Sequence, residues 1–287
     1  SRHYGETTLR AIGDIDLLVE PANVDAANRI LLRAGHVAPE PLETLTPRQR
    51  RYFLYQQNQI AYTHHVSGLG VELHWRADQV PSTLGALDAF SGRAHFELSG
   101  IPLPCLDDEE MLLHLCVHGG KHVWHRLKWV FDLPNALERR EWDWSSLRRK
   151  AIANRCDHAL LLGLAVAEKF CGWEAPSAVR GWMDDPHRFA AHFALIAKAL
   201  ASRDRWLNSP AGILQRNRYA ARFNDGLDCW AYQLATFATH RRDWELIRLP
   251  DTLFPLYFVL SPFTNLWHFA GRFRSPHSAD TGSGSTA

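Results

Sequence analysis

The chain has 287 residues, 46% of them hydrophobic and 22% charged, enough for one large domain or two smaller ones with real cores. Thirty-two basic residues against 31 acidic leave a formal charge of +1, which excludes a global field that would draw in nucleic acid but not a local phosphate patch. No apolar run reaches the length of about eighteen residues needed for a membrane span, and five widely spaced cysteines without a CxxC pair point to free thiols in a reducing, cytoplasmic compartment.

The chain opens Ser1-Arg2-His3-Tyr4, which reads as the product of processing or cleavage, with no basic-then-apolar signal segment. Ala11 to Val19 then reads as a core strand containing Gly13-Asp14-Ile15-Asp16-Leu17-Leu18-Val19. Side chains alternate along a strand, so Asp14 and Asp16 share one face, and Ile15 and Leu17 the other. Two unpaired acids beside a buried strand repel and resist desolvation, and a divalent cation relieves both costs. Pro21-Ala22-Asn23 starts a helix to about Ala34, with Val24, Ala27, Ile30 and Leu31 at helical spacing and Gly35 ending it. Thr46-Pro47-Arg48 opens a short helix or turn.

Gln59–His65 and Leu69–Trp75 read as a hairpin around Ser67-Gly68. In its second strand Glu72 and His74 share a face, so a third carboxylate stands in front of apolar neighbours, with His74 placed to orient it. A smaller hairpin is expected from Ala94–Leu98 and Ile101–Leu103. Beyond Leu106 the pattern becomes helical. Asp107 caps an acidic first turn with Glu110 three residues on, and core-spaced Met111, Leu112, Leu115 and Cys116 follow. Gly119-Gly120 interrupts, and a second helix is expected to carry Val123, Leu127, Val130 and Phe131. Helices are also expected over about Trp144–Arg155, His158–Cys171, Arg188–Ala201 and Arg218–Arg241, the last with Trp230, Tyr232 and Phe237 as core. Phe254 to Phe273 reads as an amphipathic terminal helix that packs on the helical region in preference to a membrane surface.

Two carboxylates on one strand and one on a neighbour suit nucleotide transfer. Mg²⁺ takes oxygen ligands and completes its shell with substrate phosphates, and paired ions activate the attacking oxygen and stabilise the leaving pyrophosphate. Asp14 and Asp16 would hold the ions, while Glu72 would bind one of them or accept the acceptor's proton. The structural alternative pairs Asp14 with an arginine, makes Asp16 a turn cap and leaves Glu72 solvated at a sheet edge. His118, Lys121, His122, His125, Arg126 and Lys128 crowd into eleven residues. Lys121, His125 and Lys128 are expected along one helical face, a phosphate-binding surface with Arg126, or else a solvated face whose cations pair with acids such as Asp132. Arg10, just before the acidic strand, is a further phosphate ligand or a partner for Asp14. His114 and His118, four apart with no glutamate in the metalloprotease position, read as locally packed residues in preference to a zinc pair. Trp75, Trp124 and Trp129 read as core.

Gly13–Val19 resembles the metal-binding strand of the polymerase-beta-like nucleotidyltransferase superfamily. A closer resemblance is to an uncharacterised bacterial nucleotidyltransferase family seen in lasso-peptide and polysaccharide biosynthesis clusters. It is carried by Tyr4-Gly5-Glu6, Leu9–Ile12, Val71-Glu72-Leu73-His74-Trp75, Asp108–Cys116, His118-Gly119, His122–Trp129, Asp132-Leu133, Leu249-Pro250, Leu253-Phe254 and Leu256–Phe258. The resemblance implies an α+β fold: a small mixed-sheet nucleotidyltransferase core over 1–104, a mostly helical domain over 105–274 and a flexible Ser/Gly/Thr-rich tail over 275–287. It also implies Asp14, Asp16 and Glu72 as the metal triad, Mg²⁺ or Mn²⁺ as cofactor and an NTP such as ATP as substrate. The superfamily carries a Gly-Ser or Gly-Gly phosphate grip upstream of the acidic strand. Only Tyr4-Gly5 precedes it here, so the expectation is an upstream element cleaved or omitted, or a degenerate grip.

The leading expectation is therefore metal-dependent transfer of a nucleoside monophosphate to a hydroxyl on an unidentified small molecule, peptide or protein, with pyrophosphate released. The alternatives are a non-catalytic nucleotide- or protein-binding module with a degenerate transferase fold, and a phosphohydrolase using the same carboxylates with His118 or His125.

Overall fold

The computed structural model describes residues 13–80, 83–84, 94–183, 185, 187–202, 206, 209–223, 234 and 238–272. Arg10 and the other residues before Gly13, Cys229, Trp230, Tyr232, Phe237, most of the helix expected between Arg218 and Arg241, and the 275–287 tail lie outside the described residues.

The acidic strand forms as β1 (Asp14–Leu18), followed by α1 (Val24–Arg33) and the short β2 (His36–Val37). Gly35 makes the turn between them at φ +87°, a conformation open to glycine at little cost. The expected hairpin forms as β3 (Gln59–His64) and β4 (Gly70–His74). These four strands make a mixed sheet in the order β1-β4-β3-β2, with β1 parallel to β4 and the other pairs antiparallel. One face is apolar: Val71 and Leu73 of β4 and Ile60 and Tyr62 of β3 are buried. α1 buries Val24, Asn28 and Leu31, while Ile30 is 65% exposed. The sequence pattern put Ile30 in the core; Asn28 takes that stripe because the Tyr62 hydroxyl donates to its Oδ1 at 2.6 Å, satisfying a buried amide. The second hairpin forms as β5 (Ala94–Leu98) and β6 (Ile101–Cys105), a separate two-stranded sheet.

The chain after β6 is helical, which together with the mixed sheet gives the expected α+β class. α3 (Asp108–Lys121) begins with the expected capping box: the Asp107 carboxylate accepts from Glu110 N at 2.8 Å, and Glu110 accepts from Asp107 N at 3.2 Å. Lys150 ties down the same turn, at 3.1 Å from Asp107 and 2.8 Å from Glu109. α4 (Leu127–Leu137), α5 (Trp144–Ala153) and α6 (Asp157–Cys171) complete a helical core with α3 around Leu113, Cys116, Leu133, Leu147 and Leu160–Leu162. Trp75 and Trp124 are buried as expected, and Trp129 packs against this core from its edge. Cys116 and Cys156 are buried free thiols, while Cys105 and Cys171 are free and half-buried.

The chain divides into two compact units: residues 1–39 with 58–229, and residues 40–57 with 230–287. The first holds both sheets and the core just described. In the second, α2 (Pro47–Gln56) is capped by Thr46, whose hydroxyl also bonds Asp251, and the Arg48 amide donates to Asp251 at 3.1 Å. The centre of this unit is Asp243, fully buried in the first turn of the helix Arg241–Leu246. Its carboxylate accepts from the His240 amide at 2.7 Å and from the hydroxyls of Thr239, Ser261 and Thr264. The terminal helix runs Leu256–Arg272 and keeps Val259, Phe263, Leu266 and Trp267 exposed. Among the described residues, no helix is long and apolar enough to cross a membrane.

Candidate metal and nucleotide site

Register decides where the acids meet. β1 and β4 run parallel with Asp14 opposite Gly70 and Asp16 opposite Glu72. Ile15, Leu17, Val71 and Leu73 point to the other face, so alternation alone brings the acids to one side. The backbone locks this register: Val19 N donates to the His74 carbonyl and Trp75 N to the Asn58 carbonyl, each at 2.9 Å.

On the acidic side the ligand atoms of Asp16, Glu72 and His74 all lie within 4.8 Å of one another. His74 Nε2 sits 3.5 Å from Asp16 Oδ1 and 3.5 Å from Glu72 Oε2. The exposure is graded: the His74 side chain is 13% exposed, Glu72 29% and Asp16 61%. The group thus runs from a sheltered imidazole to an open carboxylate. The neighbouring His74 imidazole holds the Asp16 carboxyl below its ordinary value against the opposing effect of burial. Asp14, on the same face, is exposed and outside this group of three. Its register partner Gly70 has no side chain, and a Cβ there would come within 3.5 Å of the Asp14 Cβ, so the glycine keeps the flank of Asp14 open. Two carboxylates converging with an imidazole nitrogen at a partly exposed site fit a divalent cation, since such an ion offsets their mutual repulsion.

α3 contributes a row that the sequence pattern undervalues. His114, His118 and His122 are spaced by four, so they lie along one helical face. Ring centroids are 5.9 Å apart for the first pair and 4.8 Å for the second. His114 and His118 lie within electrostatic reach of Asp16. Burial, reinforced by Lys121, pushes His114 and His122 down to about 4. Burial and the neighbouring His114 push His118 down to about 2. The row is therefore neutral at pH 7.

The basic stretch does not form the single helical face expected. α3 stops at Lys121, and α4 starts only at Leu127. Between them Val123 and Trp124 adopt φ of +56° and +48°. Trp124 N donates to the Gly119 carbonyl and Val123 N to the Gly120 carbonyl, the paired bonds of a Schellman ending. The physical cause is Trp124: it is fully buried over Gly119, where an added Cβ would fall 2.3 Å from the ring. Burying the indole outweighs the strain of a β-branched residue at positive φ. Leu127, expected to be core, is 60% exposed.

The candidate phosphate ligands are consequently dispersed. Lys121 pairs at 3.1 Å with the buried carboxylate of Asp78. His125 Nδ1 contacts the His122 carbonyl at 2.7 Å. The Arg126 guanidinium lies 5.3 Å from the centroid of Trp129, whose ring also touches His118, His122 and His125. Lys128 is half-buried in the first turn of α4. Arg10 falls outside the described residues.

A family model described as an uncharacterised nucleotidyltransferase matches residues 1–172, more than half of the chain. The chain belongs to this family. The matched region of this nucleotidyltransferase includes the whole four-stranded sheet, the acid pair Asp16 and Glu72, the histidine row and the strained turn at Val123-Trp124. A nucleotide is accordingly the substrate class. No curated protein and no solved structure matches the chain.

Proposed function

We propose that this nucleotidyltransferase moves a nucleoside monophosphate from an NTP to a hydroxyl on a small molecule, peptide or protein. The observation that carries the reading is the in-register pairing of Asp16 with Glu72, with both carboxylates within 3.5 Å of one imidazole nitrogen. In this reading Asp14, Asp16 and Glu72 hold divalent cations, Mg²⁺ or Mn²⁺. Bound there, such ions would neutralise the phosphates and lower the cost of charge build-up. The acceptor oxygen forms a bond to the α-phosphorus. The bond from that phosphorus to the bridging α–β oxygen breaks, and pyrophosphate leaves with the electron pair. Glu72, the more sheltered of the two paired acids, takes the acceptor's proton directly or through water in this reading. The carboxylates of Asp14 and Asp16 are exposed and so open to an incoming substrate. Arg10, Lys121, His125, Arg126 and Lys128 are the candidate phosphate contacts. In this reading the catalytic core spans 1–104, and His114 and His118 of the helical segment 105–274 lie within electrostatic reach of Asp16.

A label-transfer assay tests this. The full-length protein, given α-labelled NTP, Mg²⁺ or Mn²⁺ and a panel of hydroxyl acceptors, should release pyrophosphate and label an acceptor. Asp16→Asn should remove both signals, and full turnover by that variant would overturn the assignment. One observation favours a second reading, nucleotide binding without turnover: Lys121 and Arg126 already have partners in Asp78 and Trp129. Calorimetry with Mg-ATP separates the two, since tight binding with no pyrophosphate release across the acceptor panel supports the binding module.

A further inference from the structure

We propose that His74 is the nitrogen ligand of a divalent transition-metal ion whose other protein ligands are Asp16 and Glu72. The inference deepens the proposed function, and rests on it only in placing the ion at the transfer site. It goes beyond the carboxylate triad by changing the donor set, and with it the class of metal the site selects.

The first observation is a distance. His74 Nε2 stands 3.5 Å from an oxygen of each acid. Good N–H···O⁻ hydrogen bonds to carboxylate run about 2.7–2.9 Å. Nε2 is a buried atom and satisfies hydrogen-bond geometry with neither acid. A nitrogen intended as a donor would close on one carboxylate. Equal, long separations from two carboxylates suit ligands spread around a common centre. Bonds of about 2.1 Å put neighbouring ligands about 3.0 Å apart in an octahedron and about 3.4 Å apart in a tetrahedron.

The second observation is how the ring is held. The His74 backbone is fixed in the sheet between Leu18 and Gln59. Beneath the ring, the buried Asn58 amide lies 3.4 Å from Nδ1 and 3.4 Å from the Arg76 carbonyl. A metal-binding imidazole gives up the proton at its ligating nitrogen and donates from the other. Turning the Asn58 amide end for end presents Oδ1 to that Nδ1–H, at the cost of the 3.4 Å bond to the Arg76 carbonyl and of setting two oxygens against each other there.

The third is access. Asp16 opens to solvent while His74 is sheltered, so protein ligands occupy one side of the ion and the positions facing substrate stay free. The chemical consequence is selectivity. Mg²⁺ is served by oxygen ligands, whereas an imidazole among carboxylates suits Mn²⁺, Fe²⁺, Co²⁺ or Zn²⁺. Asp14, outside the three-ligand group, is left to bind an ion that arrives with the nucleotide phosphates.

Pulsed electron paramagnetic resonance on the full-length protein loaded with Mn²⁺, without nucleotide, tests the proposal directly. The expected result is a ¹⁴N coupling from a directly bound imidazole, lost in His74→Gln and kept in His114→Gln. Mn²⁺ affinity should fall at least tenfold in His74→Gln, while Mg²⁺ affinity changes by less than about threefold. If His74→Gln does not fold, selective ¹⁵N labelling of histidine in the wild-type chain must alter the coupling. Mn²⁺ bound with no nitrogen coupling, a coupling that survives His74→Gln, or no Mn²⁺ binding at all would each overturn the proposal. None of these readouts involves turnover, so an all-oxygen site that still transfers nucleotide would refute the metal inference and leave the transfer reading standing.

Discussion

Asp16 and Glu72 carry the functional argument because their chemistry depends on being close, and closeness is a property of register. A one-residue slip of β1 against β4 would send one acid to the apolar face. The two positions differ in setting: Asp16 is largely exposed and Glu72 is sheltered beside His74. Asp16→Asn keeps the size of the side chain and removes the charge, so stability should change by less than about 0.5 kcal/mol, as for an exposed site. Nucleotidyl transfer should fall by at least about a hundredfold, measured as pyrophosphate release, since ion affinity and transition-state charge are lost together. Gly70 gives a companion test beside Asp14. A Cβ there makes ordinary contact, so Gly70→Ala should fold, whereas Gly70→Leu should obstruct the flank of Asp14 and raise the apparent KM for nucleotide.

At the scale of elements, α3 shows how one helix serves two ends. Its N-terminus is fixed by a capping box and by Lys150, and its C-terminus by Trp124 folding back on Gly119. Gly119→Ala would drive a methyl into the indole, and overpacking of this kind costs about 1–3 kcal/mol. A lower thermal midpoint is expected, with Gly172→Ala, a strained αL position with open space around its Cβ, as the control for a purely local backbone effect. The histidine row adds a pH dependence whose sign is fixed. His122 is pushed down to about 4 by burial, with Lys121 and His125 adding to the effect and Asp78 opposing it. The unfolded chain takes up that proton near pH 6.5, and the folded chain only near pH 4. The contribution of His122 to stability is therefore complete above about pH 6.5 and is lost as pH falls toward 4. Thermal midpoints measured between pH 7.5 and 4.5 should decline, and the decline should be shallower in His122→Gln.

For the whole molecule, the compact units make an unequal pair: one holds the sheet, the acids and the histidine row, and the other is organised around a buried aspartate. Asp243 accepts four hydrogen bonds, so Asp243→Ala strands several buried donors at about 1–3 kcal/mol each. That substitution should lower the thermal stability of its own unit. Mn²⁺ titration of the Asp16–Glu72–His74 group should be unchanged, because the substitution touches none of its ligands.

Local chemistry was written plainly in the chain. The alternation in Asp14–Leu18 and Gly70–His74, the Asp107–Glu110 cap and the turn at Gly35 are short-range signals, and each produced the element expected of it. The choice of Asp14, Asp16 and Glu72 as candidate acids followed from the same alternation, since a period of two assigns faces without knowledge of the partner strand. What the sequence by itself could not determine was which strand lay beside which, and so which ligands would meet. Parallel pairing of β1 with β4 brought His74 as well as Glu72 to Asp16 and left Asp14 opposite a glycine. Tertiary packing also decided the fate of the basic stretch. A helical period carries Lys121, His125 and Lys128 along one face, but burial of a single indole against Gly119 ended the helix at Lys121 and broke that face. Periodicity is set within a few residues, whereas burying a large side chain is a gain collected from the whole core, and at Trp124 the larger, longer-range contribution prevailed.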